Sequence, residues 1–203
     1  MKEIWYIHGA NCSPLSFNRI IDKLPKHKFE FISYNSKMSL DEILHHTWNE
    51  LPEKNQIDLV GHSLGGVISI LIAHESKFPE ANKKINIRNV VTISSPLGGS
   101  IHANILKYIY PEYKILKGIS TKSEFIEGLL RLGIACPTLS LVSISGNLPT
   151  IKEKNDGVVT ISSQKAIKGP KYVEINANHF EILQSDETIK EIKNFLFNEN
   201  VII

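Results

Sequence analysis

The chain has 203 residues, of which 42% are hydrophobic, and its 23 basic against 21 acidic residues leave a formal net charge of +2. That length fits one domain able to bury a core of its own, and the composition excludes a disordered or low-complexity chain. Charge is spread along the sequence, so nothing points to a nucleic-acid partner, and no stretch approaches the ~20 apolar residues of a membrane span.

Two cysteines, Cys12 and Cys136, are too few for a disulfide framework and lack metal-ligand spacing, so both read as free thiols; the sequence shows no metal cluster or nucleotide loop, so no metal or cofactor is expected. The chain opens Met1-Lys2-Glu3-Ile4-Trp5-Tyr6-Ile7, whose apolar run is too short for a secretion signal, an expectation that favours the cytoplasm.

Ile4 to Ile7 reads as a first strand. Gly9-Ala10-Asn11-Cys12-Ser13-Pro14 follows as a loop, with Ser13 as N-cap and Pro14 at the first position of a helix on which Phe17, Ile20, Ile21 and Leu24 recur at helical spacing. Pro25 closes that helix, and Phe29 to Tyr34 alternates as a strand would. Ser39 and Glu42 then form a capping box for a helix with Leu40, Ile43, Leu44, Trp48 and Leu51 on one face, ended by Pro52. Ile57-Asp58-Leu59-Val60 is an apolar strand running into Gly61-His62-Ser63-Leu64-Gly65-Gly66. The following Val67, Ile68, Ile70, Leu71, Ile72 and Ala73 are apolar nearly all round, which predicts a helix against the centre of a sheet.

Asn89 to Ser95, Thr138 to Ser145 and Lys171 to Asn176 read as three further strands. A last helix is capped by Ser185, carries Asp186 and Glu187 in its first turn, and repeats at Ile189, Ile192, Phe195 and Leu196. Strands alternating with helices, with near-continuous apolar runs, predict one α/β domain over residues 1–203 built on a mostly parallel sheet with helices on both faces.

Residues 100–133 break the alternation, reading as two helices with no strand between. The first carries Ile101, Ile105, Tyr108 and Ile109; the second follows a Thr121/Glu124 capping box and carries Phe125, Ile126, Leu129, Leu130 and Leu132. This helical insertion leaves the C-terminal end of a strand, where ligands bind in open α/β sheets, and so reads as a cap.

Gly61-His62-Ser63-Leu64-Gly65 between a strand and a helix has the pattern of a nucleophile elbow, in which the glycines permit a sharp corner and the serine hydroxyl projects from it. A serine becomes nucleophilic only when an imidazole takes its proton and a carboxylate fixes that imidazole, in the chain order serine, acid, histidine on such a scaffold. Of eight histidines only His74, His102 and His179 follow Ser63; the first two read as structural or solvent-facing, whereas His179 sits in a loop after the last strand. Asp156, in Asn155-Asp156-Gly157, is the only aspartate between Ser63 and His179, and Glu153 is the fallback. The backbone N–H groups of Leu64 and Ala10 are candidate oxyanion donors. His8 reads as a loop organiser. In the cap, Ile105, Tyr108, Ile109, Phe125, Ile126, Leu129 and Leu130 are the candidate lining of an acyl pocket.

Tyr6-Ile7-His8-Gly9, Gly61 to Gly66, Thr92-Ile93-Ser94-Ser95-Pro96-Leu97-Gly98-Gly99-Ser100, Asn155-Asp156-Gly157-Val158-Val159 and the His179 loop together resemble the α/β-hydrolase superfamily, in particular its small lipases and esterases. The resemblance implies the α/β-hydrolase fold and a serine hydrolase that cleaves carboxyl esters through an acyl-enzyme, with a small-molecule or lipid ester as substrate. It also implies Ser63, Asp156 and His179 as triad and Ala10 and Leu64 as oxyanion donors. One departure is Leu97, where related lipases often have histidine. The same triad serves thioesterases, amidases and acyltransferases. A hydrolase-fold binding module without turnover is the alternative of another class, and the intact set of serine, acid, histidine and glycines argues against it.

Overall fold

The structure is a computed structural model that describes residues 1–78 and 83–198. Its elements run β1 (Glu3–Ile7), a 3-10 turn at Pro14–Phe17, α1 (Asn18–Lys23), β2 (Lys28–Ile32), α2 (Leu40–Glu50), β3 (Gln56–His62), α3 (Leu64–Glu75) and β4 (Asn86–Ile93). They continue with α4 (Ile101–Ile109), α5 (Ile115–Gly118), α6 (Glu124–Leu132), β5 (Thr138–Ser143), α7 (Ile161–Gln164), β6 (Lys171–Ile175), a 3-10 turn at Glu181–Gln184 and α8 (Asp186–Phe197). Among the described residues no helix is long and apolar enough to cross a membrane.

All six strands are parallel, in the order β2-β1-β3-β4-β5-β6. The chain therefore moves outward from β1 to β2, returns to the other side of β1 for β3, and proceeds one way from there. The order reverses between β1 and β3, and the crevice beyond the C-terminal ends of those two strands is where open α/β sheets hold ligands.

Alternate side chains of the strands feed two separate apolar layers. On one face Ile7, Leu59 and Val90 pack with Leu40, Ile43, Val67, Ile68 and Ile72, as well as Ile126 and Leu129. On the other, Ile4, Tyr6, Val60, Val91, Ile93 and Leu141 pack with Ile20, Leu24, Ile189, Ile192 and Leu196. Helix α3 is buried on nearly every side because it lies over the middle of the sheet, in contact with β1, β3 and β4. Ser39 and Glu42 make the capping box of α2 as their spacing requires.

Several local expectations are corrected. The chain after Ser13 starts as a 3-10 turn before becoming helical at Asn18, and β2 does not alternate, because it is an edge strand with Phe29 turned to solvent. The insertion holds three helices rather than two. Its last one is capped by Ser123, whose hydroxyl accepts the Ile126 N–H, and not by a Thr121/Glu124 box; the Thr121 backbone and hydroxyl are both taken up by Asn104 of α4. In β3, Asp58 is fully buried within the apolar run. It is held there by Arg88, which donates through Nε at 2.9 Å and pairs through Nη2, and by Asn89 Nδ2 at 2.8 Å, beside a register shift at Ile57/Asp58.

Candidate active site

Strand β3 ends at His62 and the chain turns through Ser63 (φ 52°, ψ −121°) directly into α3. A non-glycine residue in that region stores backbone strain, which persists only where its surroundings impose it. Here the packing leaves no alternative. A Cβ on Gly61 would sit 2.3 Å from the Gly65 carbonyl, one on Gly65 would sit 1.9 Å from Ile7 O, and the Ser63 N–H is tied to Ile93 O at 2.8 Å. The corner is thereby pressed against both β1 and β4, with Ser63 itself only partly buried.

The loop after β6 supplies His179. Asn178 Oδ1 accepts the N–H groups of Phe180 and Glu181 at 3.0 and 2.9 Å and starts the 3-10 turn that follows, so His179 is held buried at the turn's entrance. Its Nδ1 lies 2.8 Å from Asp156 Oδ2, a bond in which the imidazole N–H donates and the carboxylate accepts. Its backbone N–H donates to Asp156 O at 3.0 Å.

Asp156 is fully buried and its carboxylate receives five donors. Oδ1 accepts the N–H groups of Val158 and Val159 at 2.9 and 2.7 Å. Oδ2 accepts Ser143 Oγ at 2.5 Å and Gln164 Nε2 at 3.2 Å besides His179. Burial by itself would raise the carboxyl's pKa, but hydrogen bonds from His179, Ser143 and Val159 together reverse that and hold it below the usual carboxylate range. Ser143 is in turn bonded to Ser94 Oγ at 2.7 Å, and Ser94 (φ 51°) is a second strained serine at a strand end. Glu153, the fallback acid, is exposed and apart from this network.

Ala10 and Leu64 lie beside Ser63 and His179 in one cavity of about 420 Å³. Leu64 is the first residue of α3, where backbone N–H groups have no intrahelical acceptor, and among the described residues neither the Leu64 nor the Ala10 N–H donates to protein. Among the described residues no hydrogen bond joins Ser63 to His179. His8 organises the loop below: its Nδ1 bonds Gly9 O at 2.7 Å, its ring stacks on Tyr34 at 4.4 Å, and burial pushes its pKa down.

The rest of the cavity corrects the expected acyl pocket. Its apolar wall comes from Ala103 and Leu106 of α4, Leu116 of α5, Ile119, Leu148, Val158 and Phe180, with His102 at one side bonded to Thr150 Oγ1 at 3.1 Å. None of the seven residues expected there lines it. Ile105, Tyr108 and Ile109 are 61%, 79% and 58% exposed on the outer side of α4, and Leu130 is exposed on α6. Ile126 and Leu129 belong to the main core, and Phe125 borders a separate groove between α2, α3 and α6 that also holds Trp48 and Leu132. Helix α4 is apolar on two sides, and the larger stripe faces outward while the smaller Ala103/Leu106 pair faces the cavity. His74, on α3, bonds Gly133 O at 3.0 Å, away from the cavity.

Three residues of the site are not marked out by the sequence. His62 is visible only as Ser63's neighbour in the motif. Ser143 and Gln164 carry no sequence signal, since nothing local says that a strand-end serine and a glutamine on the four-residue α7 meet at Asp156.

A family model for the PGAP1-like alpha/beta domain matches residues 31–126. No curated protein matches the chain by sequence. Among solved structures, a lipase-esterase related protein from Clostridium acetobutylicum superposes with a TM-score of 0.66 at 16% identity, covering 96% of this chain and 94% of that one. Lipase BlEst2 from Bacillus licheniformis gives 0.62 at 17% identity over 96% and 91%. Phospholipase PlaB from Legionella pneumophila gives 0.73 at 12% identity, over 96% of this chain and 59% of that one. The likeness shows an α/β-hydrolase-like fold.

Proposed function

We propose that this α/β-hydrolase-fold chain is a serine hydrolase that cleaves carboxyl esters through an acyl-enzyme intermediate. The observation that carries the reading is the buried Asp156–His179 pair opening onto the same cavity as a strained, partly accessible Ser63 and two unpaired backbone N–H groups. Asp156 holds the His179 proton on Nδ1, which leaves Nε2 unprotonated and able to take the Ser63 hydroxyl proton as Oγ attacks the ester carbonyl. The developing oxyanion is received by the N–H groups of Leu64 and Ala10; one such donor is typically worth ~2.7–4 kcal/mol of barrier. His179 then returns the proton to the leaving alcohol, and water repeats the sequence on the acyl-serine.

Residues 100–133 act as a cap in this reading. The acyl portion lies against Leu106, Leu116 and Ile119, an apolar wall that suits a hydrocarbon chain and leaves the alcohol side toward Val158 and Phe180. Three tests bear on the proposal. A fluorophosphonate should label wild-type protein at Ser63 and fail to label Ser63→Ala. Ser63→Ala and His179→Ala should each lower kcat on p-nitrophenyl butyrate by ~10⁴ or more, and the double variant should be little worse, because the residues act as a unit. Wild-type-like turnover from purified Ser63→Ala would remove the assignment.

A further inference from the structure

His62 is fully buried next to the nucleophile and takes no part in the steps described above. Its Nε2–H donates to the carbonyl oxygen of His179 at 2.9 Å, and the two rings lie 4.9 Å apart between centroids. The backbone N–H of His179 is meanwhile tied to Asp156 O at 3.0 Å. Both polar atoms of the base's own main chain are therefore fixed, one by the acid's main chain and one by the residue covalently joined to the nucleophile. Neither bond uses an imidazole nitrogen of His179, so the clamp restrains the ring's place without competing for its chemistry.

Because a carbonyl can only accept, the bond decides the tautomer of His62: the hydrogen is on Nε2 and Nδ1 carries the lone pair. Among the described residues that lone pair has no hydrogen-bond partner, and it faces Gly9, 3.1 Å from where a Cβ on that residue would stand. A buried ring with one unpaired nitrogen costs stability that an apolar ring of the same size would avoid, so filling space does not account for a histidine here. Burial and the adjacent His179 push the His62 pKa down to about 3, which keeps the ring neutral and its lone pair free of a proton at neutral pH.

We propose that His62 is a positioning residue, whose Nε2–H bond to the His179 carbonyl holds the loop of the base in register with the elbow that presents Ser63. The inference rests on the reading of Ser63 and His179 as nucleophile and base. The reason such a bond matters is the narrow reach of proton transfer: the base must come within ~2.6–3.2 Å of the hydroxyl, and a displacement of 1 Å can cost ~10²-fold in rate.

His62→Phe keeps the ring and removes the donor, whereas His62→Gln keeps an N–H of similar reach. The Phe variant should lose ~10–100-fold in kcat on p-nitrophenyl butyrate with KM within about twofold of wild type, and the Gln variant should recover most of the loss. A merely structural residue would lower Tm in both variants without separating kcat from KM. Wild-type kcat in His62→Phe, or equal loss in the two variants at equal Tm, would overturn the proposal. If neither variant folds, the wild-type protein answers the same question by nitrogen-detected NMR of its histidines. The His62 ring should show the Nε2–H tautomer from pH 5 to pH 9, and a Nδ1–H or charged ring would overturn it. Fluorophosphonate labelling run alongside separates the two ideas: an unlabelled, inactive wild type removes the triad reading, while a labelled wild type matched in rate by His62→Phe removes only the role of His62.

Discussion

Asp156→Asn is the sharpest test of the site, because the structure dictates how the new amide must sit. Its oxygen is drawn to the Oδ1 position, where Val158 and Val159 N–H groups donate at 2.9 and 2.7 Å. The amide nitrogen then occupies the Oδ2 position, facing His179 Nδ1 at 2.8 Å and Ser143 Oγ at 2.5 Å. An NH₂ group cannot accept a hydrogen bond from either. His179 can pair with it only by offering a lone pair at Nδ1 and carrying its hydrogen on Nε2, the nitrogen that takes the proton of Ser63 in the proposed mechanism. A tautomer error of this kind costs ~10⁴ in kcat, about 5.4 kcal/mol of barrier. The Gln164 Nε2–H group, which donates to Oδ2 at 3.2 Å, also loses its acceptor, at an expected ~1–3 kcal/mol of stability. Steady-state hydrolysis of p-nitrophenyl butyrate measures the first effect and thermal denaturation the second. Glu153→Gln is the control and should stay within about twofold of wild type. A folded Asp156→Asn protein within tenfold of wild-type kcat, or a Glu153→Gln variant that falls further, would refute the reasoning.

Three further outcomes follow from the geometry. Leu106→Ala should lower kcat/KM for long acyl esters by ~1–3 kcal/mol, roughly 10–200-fold, and leave acetate turnover nearly intact, while Ile105→Ala on the outer side of α4 should leave a p-nitrophenyl ester chain-length series unchanged. Arg88→Ala strips the main partner from the fully buried Asp58 and should cost about 3–5 kcal/mol in urea denaturation, with little effect on kcat because the pair lies away from the cavity. Stability should fall as the solution is acidified. His62 has a pKa of about 3 in the folded chain against 6.5 when exposed, and Asp156 is also depressed, so in each case the unfolded chain binds more protons and Tm declines from about pH 6.5 downward. The decline should be shallower in His62→Phe between pH 6.5 and pH 4, and equal slopes in the two proteins would contradict the burial argument.

Where the sequence alone was enough, the controlling interactions are local. The corner at Ser63 follows from glycines two residues to either side, the start of α2 from Ser39 and Glu42 three apart, and the parallel sheet from apolar strands separated by helical spacings. What depends on distant chain segments had to come from the tertiary structure. Asp156 and Glu153 stand three residues apart with the same chemistry. Only the packing of β5, α7 and the His179 loop buries one among five donors and leaves the other in solvent. Helix α4 has apolar residues on two sides, and periodicity ranks the stripes by size without saying which meets the sheet. The larger stripe of Ile105, Tyr108 and Ile109 faces outward, and Ala103 and Leu106 close the cavity. Asp58 breaks an apolar strand that local pattern would keep uncharged, because Arg88 and Asn89 on the neighbouring strand satisfy it across the sheet. Periodicity reports that a face is apolar, but its partner is set by chain segments tens of residues away, and a buried polar group is affordable only once that partner is in place.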